Sequence, residues 1–137
     1  SLSVDGYVYS PAANTWTPLP EVMDEVGEKV SLSGGVATAW DKNMIICMGG
    51  VDKDIFLRAL QKPAADYLTH PVEWYRFNKR VLVYDVRLRE WQTIACIPDV
   101  ARAGAALVVC GENIFCINGE LKPGVRTPEI TCITIKK

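Results

Sequence analysis

The chain has 137 residues, 49% of them of apolar type, and a formal net charge of -1. That is enough chain for a real core. No basic patch or RNA-binding signature points to nucleic acid, and the longest apolar runs, such as 103–110, are far too short to span a bilayer. The first ten residues carry no charged-then-apolar-then-small signal pattern; they read as mid-protein sequence running straight into a strand. The five cysteines are odd in number and lack metal-ligand spacing. All five are expected to behave as small hydrophobes, and Cys47, Cys116 and Cys132 lie inside apolar strand patterns.

In chain order, a short strand is predicted at 6–9, then the turn residues Ser10 and Pro11 to Asn14, then a strand at 15–17 that Pro18 and Pro20 stop. Residues 23–30 are acidic and weakly patterned, a loop with room for one helical turn. A strand at 33–40 opens on Gly34 and Gly35, and Asp41, Lys42 and Asn43 form a tight turn. The strand at 44–48 is apolar throughout and ends at Gly49 and Gly50, the pattern of a strand covered on both faces. Residues 51–80 leave the pattern. They hold His70, the aromatics Phe56, Tyr67, Trp74, Tyr75 and Phe77, and short helices predicted at 55–60 and 64–68. Loops this long are functional or disordered, and the aromatic content favours order. Strands follow at 81–85, 90–94, 103–110, 113–117 and 130–135. Between the last two lies a polar loop, 118–129, stiffened by Pro123 and Pro128.

Self-comparison organises these elements. Gly35 and Gly49 are fourteen residues apart, as are Gly104 and Asn118; Tyr9 and Trp16 are seven apart, as are Tyr84 and Trp91. The unit is a Gly-led strand, a tight turn, an apolar strand ending in Gly, a connection, a strand with Tyr, a turn and a strand with Trp. Without the excursion its period is roughly 40–50 residues, in the range of propeller blades.

These residues resemble the Kelch family, with a Gly pair after the second strand and a Tyr and a Trp at fixed spacing in the third and fourth. The resemblance implies an all-β fold of four-stranded antiparallel blades, strands a to d in meander order. Residues 1–32 are then the end of one blade (c, d) and a connecting loop. Residues 33–101 form a complete blade with its long b–c insertion at 51–80. Residues 102–137 form a partial blade (a, b, c) carrying the motif loop 118–129. That is about two and a quarter blades where a closed ring needs about 4–8. The expectation is therefore a fragment or one subunit of an assembly, with open blade faces covered by the remaining blades or by self-association. In a meander the b–c and d–a connections share one end, so the excursion, the motif loop and Arg102 belong to one rim.

The stretch Asn118, Gly119, Glu120, Lys122, Pro123, Gly124, Arg126, Thr127 goes beyond generic Kelch. It is similar to the corresponding stretch of the N-acetylneuraminate epimerase family, the sialic acid mutarotases, and the chain's ending resembles a circularly permuted branch of it. The excursion's end, Phe77, Asn78 and Lys79, also resembles that family. The resemblance implies a six-bladed propeller, a sialic acid or related sugar as substrate and a periplasmic location; a cytoplasmic one fits the odd, unpaired cysteines. Glu120 matches the family's proton acceptor and Arg126 its partner in the site.

The chemistry suits the residues. Opening and reclosing a cyclic hemiketal needs a base for the anomeric hydroxyl and an acid for the ring oxygen. Arginine offers a planar fork for the sugar's carboxylate, and two prolines limit loop motion. No motif calls for a metal, nucleotide or other cofactor. Arg102, Asn118, Lys122 and Asn78 are the candidate substrate-binding residues. Plainer readings stand beside these: a loop ion pair for Glu120 and Arg126, solvated charge for Lys122 and Arg102, a surface role for His70, and chain-turning for Asn78 and Lys79. Trp16 and Trp91 are expected in the core. A different class of function, a Kelch module that binds protein or carbohydrate without turnover, uses the same rim. The isomerase reading rests on the Glu/Arg loop.

Overall fold

The computed structural model describes residues 1–136. In chain order it contains β1 (Tyr7–Ser10), β2 (Thr15–Pro18), β3 (Gly35–Asp41), β4 (Met44–Gly49), α1 (Lys53–Gln61), β5 (Arg80–Asp85), β6 (Glu90–Cys96), β7 (Ala106–Cys110), β8 (Asn113–Ile117), β9 (Glu120–Lys122), β10 (Val125–Arg126) and β11 (Ile130–Thr134). Every strand pair is antiparallel. Strands β3-β4-β5-β6 form a four-stranded meander, β7, β8 and β11 a three-stranded one with β8 in the middle, and β1-β2 and β9-β10 are separate hairpins. The all-β blade architecture expected from the repeat is the one observed.

The core forms where the two larger sheets face each other. Ile46 and Met48 of β4, Val81 and Val83 of β5, and Ile114 and Cys116 of β8 pack together with Val100. Cys47 and Leu82 point the other way and pack with Val22, Leu32 and Trp91. Odd and even positions of β4 and β5 thus enter different clusters, which is why these strands are apolar without alternation.

The repeat is visible in backbone detail. Gly49 and Gly50 have φ of 73° and 105°, and Asn118 and Gly119 have 57° and 103°. At Gly49 a Cβ would meet the Arg102 carbonyl oxygen at 2.3 Å, and at Gly119 the Ala103 carbonyl oxygen at 3.0 Å. The left-handed pair lets each blade's second strand turn hard against the neighbouring backbone. The Tyr–Trp spacing is explained as well. Tyr9 lies opposite Trp16 and Tyr84 opposite Trp91 across their hairpins, with ring centroids 4.9 and 5.0 Å apart.

Several expectations change. Trp16 is 67% exposed, because β1 and β2 have no neighbouring sheet against them; Trp91 is half-buried and donates from Nε1 to the Pro20 carbonyl at 2.9 Å. Cys47 and Cys116 are buried, but Cys96, Cys110 and Cys132 are exposed, since they fall on outward positions of β6, β7 and β11. Residues 64–68 are not helical. Tyr67 and Thr69 each donate a backbone N–H to the carbonyl three residues back, and the stretch between Pro63 and Pro71 is too short to recover the cost of helix nucleation. Residues 23–30 contain a bridge between Met23 and Lys29 and no helical turn. The expected helix at 55–60 is α1, capped by the Asp52 carboxylate, which accepts from the Ile55 N–H at 2.9 Å, and stopped before Pro63.

Candidate functional site

The loop at 118–129 is itself a small hairpin. Asn118 and Gly119 turn the chain out of β8, and β9 and β10 then pair across Pro123 and Gly124. Proline at the first corner and Gly124 at φ 79° are what a type II turn requires. The register sets Val125 opposite Lys122 and Arg126 opposite Glu120, with an irregularity between Val125 and Arg126. Glu120 and Arg126 are therefore cross-strand partners, and Arg126 Nε lies 3.8 Å from Glu120 Oε1. This is an ion pair rather than a close hydrogen bond.

The base of the hairpin is tied to the neighbouring chain. The Glu120 N–H donates to the Ala103 carbonyl at 2.8 Å and the Ala103 N–H to the Glu120 carbonyl at 3.0 Å. The Thr127 N–H donates to the Gly119 carbonyl at 2.9 Å. Beside this anchor lies an open depression of about 700 Å³, lined by residues 103–104, 118–120 and 126–128. The Arg126 side chain is 86% exposed and that of Glu120 32%. The guanidinium is thus open to solvent even while paired with Glu120, and the carboxylate is partly sheltered.

The other candidate residues sit differently. Arg102 is 1% exposed and turned inward. Its Nη1 donates to the carbonyls of Cys116 (3.3 Å), Asn118 (3.3 Å) and Glu129 (2.8 Å), and its Nη2 to Thr131 Oγ1 (2.6 Å). Buried, with both Nη atoms bonded to the two chain segments that enter and leave the hairpin, it faces no solvent to meet a sugar. Asn118 contributes its backbone: the left-handed turn, an N–H to the Glu129 carbonyl at 3.0 Å, and the carbonyl that Arg102 caps. Asn78 is buried. Its Nδ2 donates to the Gly49 carbonyl at 3.0 Å, and its Oδ1 accepts from the Arg80 N–H at 3.0 Å, which is the chain-turning role. Asn78 thus caps in one blade the carbonyl that corresponds to the one Arg102 caps in the next.

Lys122 is half-buried rather than solvated. Its Nζ donates to the backbone carbonyls of Leu68 (3.1 Å) and His70 (2.7 Å) and lies 5.8 Å from the centre of the Tyr75 ring. His70 stacks on Trp74 at 3.9 Å and 11°, and its Nε2 is 3.7 Å from Asp66 Oδ2. Sequence reading missed two residues here. Tyr75 is 1% exposed and donates its hydroxyl to the Tyr67 carbonyl. Thr127 is buried and accepts from the Glu129 N–H at 3.2 Å. Aromatic density in the excursion was the available signal for Tyr75; a backbone carbonyl as Lys122's partner leaves none. Among the described residues no cluster of His, Cys, Asp or Glu could hold a metal ion.

Two facing antiparallel meanders, the paired left-handed turns and the cross-strand Tyr–Trp pairs define a Kelch-type β-propeller segment, with its elaborated loops meeting on one rim. The N-acetylneuraminate epimerase family model matches residues 1–137, and the chain belongs to that family. It is 32% identical over 139 residues to the N-acetylneuraminate epimerase of Salmonella paratyphi B, covering 92% of this chain and 35% of the relative. It is 30% identical over 146 residues to that of Brucella melitensis, covering 95% of this chain and 36% of the relative. The solved structure of YjhT superposes with a TM-score of 0.76 at 28% identity, over 95% of this chain and 40% of that one. The chain thus spans about a third of the length of these curated relatives.

Proposed function

We propose that the protein interconverts the α and β anomers of N-acetylneuraminate, with Glu120 as general base and Arg126 as the anchor for the sugar's carboxylate. The observation that carries this reading is the cross-strand Glu120–Arg126 pair at the open depression, in a chain of the N-acetylneuraminate epimerase family.

Arg126 draws the carboxylate on the anomeric carbon into a bidentate pair, which sets the anomeric hydroxyl toward the carbon's other neighbour on the hairpin, Glu120. Glu120 takes the hydroxyl proton as the ring C–O bond breaks. The bonding pair passes to the ring oxygen, which is protonated by water. The open keto form turns its other face and recloses by the reverse steps, returning the proton to the new anomeric hydroxyl. Nothing is consumed.

The test is anomer equilibration of N-acetylneuraminate followed by NMR, with the full-length protein and its Glu120→Gln variant. The expected result is acceleration by wild type and a loss of about 10²–10⁴-fold in the variant, the usual worth of a positioned general base. Wild type at the buffer rate, or a Gln variant as fast as wild type, refutes the assignment. Saturable binding without turnover would instead place this protein among non-catalytic Kelch modules.

A further inference from the structure

We propose that Lys122 is a positioning residue: it clamps the excursion onto the Glu120 hairpin and so fixes the tip of that hairpin. The clamp rests on the reading of Glu120 as base only for its effect on turnover; its geometry stands by itself.

The hairpin is too small to hold its own shape. β9 has three residues and β10 two, the register between them is irregular, and isolated two-stranded hairpins are marginal in water. Its base is tied to Ala103 and Thr127. Its tip, where Lys122 faces Val125, gains a second attachment through the Lys122 ammonium on the Leu68 and His70 carbonyls.

What the ammonium grips is a rigid block. Tyr75 is buried under it and reaches back to Tyr67. Trp74 meets Tyr75 edge-on at 5.1 Å and stacks flat on His70. Lysine is seldom taken out of water without partners; here two charge-assisted hydrogen bonds and an aromatic ring beneath the cation compensate. Because the register shifts between the Lys122–Val125 and Glu120–Arg126 pairs, the clamp acts on Glu120 through the backbone of the hairpin. Losing the clamp frees the hairpin tip and the segment around Leu68 and His70 together.

The experiment uses the full-length protein with Lys122→Met and Lys122→Arg, read by backbone hydrogen exchange and by anomerisation of N-acetylneuraminate. In Lys122→Met, amides in 62–70 are expected to exchange at least about tenfold faster, as for a locally opened segment, with β4 and β5 unchanged. Turnover is expected to fall by about 10–100-fold, the scale of an ångström-level misplacement. Arginine, which restores a cation with several donors, should recover most of both. Wild-type protection at 62–70 in Lys122→Met overturns the clamp, whether turnover is kept or lost; if lost, Lys122 contacts the substrate directly. Faster exchange with unchanged turnover overturns its bearing on catalysis. If Glu120→Gln retains activity, the base assignment fails while the exchange result still decides the clamp.

Discussion

Replacing Arg102 with methionine tests whether the site depends on a residue that never reaches it. Methionine keeps most of the length and removes the guanidinium. Arg102 is 1% exposed, and its one carboxylate partner among the described residues, Glu129, is 3.9 Å away and itself 71% exposed. The buried charge is therefore balanced mainly by carbonyl dipoles. Of these, the Glu129 carbonyl keeps the Asn118 N–H as a partner in the variant. The Asn118 carbonyl, part-buried beside the open depression, loses the side-chain donor that caps it, at about 1 kcal/mol. Thr131 loses a 2.6 Å contact worth about 1.5–3 kcal/mol to a charged donor. Relief of the guanidinium's own desolvation offsets part of this, since its Nε already lacks a partner among the described residues. The balance is a destabilisation of about 3 kcal/mol, or about 9 °C in Tm at about 3 °C per kcal/mol. Arg102→Lys should recover little, because one ammonium cannot replace a planar fork at three carbonyls and a hydroxyl. Thermal unfolding by circular dichroism measures it. A Tm within about 3 °C of wild type, equivalent to under about 1 kcal/mol, refutes the structural assignment, and activity lost at unchanged Tm would make Arg102 a direct participant.

Two further outcomes are expected. Gly49→Ala combines a φ of 73° with a 2.3 Å collision against the Arg102 carbonyl oxygen and should cost well over about 3 kcal/mol or prevent folding, whereas Gly124→Ala, at φ 79° with nothing within 4 Å, should cost only about 1–2 kcal/mol of backbone strain; equal losses in denaturant unfolding would contradict the close-approach argument. Arg80 grips Glu25 through two bonds of 2.8 and 2.7 Å, which holds the Glu25 carboxyl down at about 2 from an ordinary 4.5. Because its folded value is depressed, the pair's contribution is present above about 4.5 and disappears as pH falls toward about 2. An NMR titration in which Glu25 keeps an ordinary value, or does not rise in Arg80→Met, would remove this ion pair from the account.

The fold was legible because its markers are backbone requirements that only certain residues meet. Gly49, Gly50 and Gly119 mark left-handed turns, and the Tyr and Trp seven residues apart mark cross-strand partners separated by a four-residue turn. Apolar β4 read correctly as a strand covered twice. What failed to read was set by neighbours. Trp16 carries the same local signal as Trp91, yet burial depends on a sheet that its hairpin does not meet. Arg102 was assigned to solvent or substrate because arginine is rarely buried, and nothing in the sequence shows three carbonyls converging from β8, the Asn118 turn and Glu129. Residues 120–126 read as a loop because strands of three and two residues lie below the length at which alternation is detectable.

The two blades place the same turn at the same point and then diverge, and the site lies in the divergence. After Gly50 the chain makes the 51–80 excursion before returning as β5; after Gly119 it makes a seven-residue hairpin and returns as β11. Meander connectivity puts both returns at one end of their sheets, and the segment at Arg102 and Ala103 links the two turns, accepting from the Gly50 N–H at 2.9 Å and from the Glu120 N–H at 2.8 Å. The longer connection therefore has to pass the shorter one. Lys122 is where they meet, as a side chain of the short loop bound to the backbone of the long one. Such an arrangement asks little of the excursion's sequence at Leu68, since any residue supplies a carbonyl. It asks a great deal of position 122 and of the aromatic residues that hold those carbonyls in place. Substitutions at Leu68 should therefore be tolerated where substitutions at Lys122 or Tyr75 are not, a contrast that a paired mutational scan of activity would expose and that a purely solvated Lys122 would not produce.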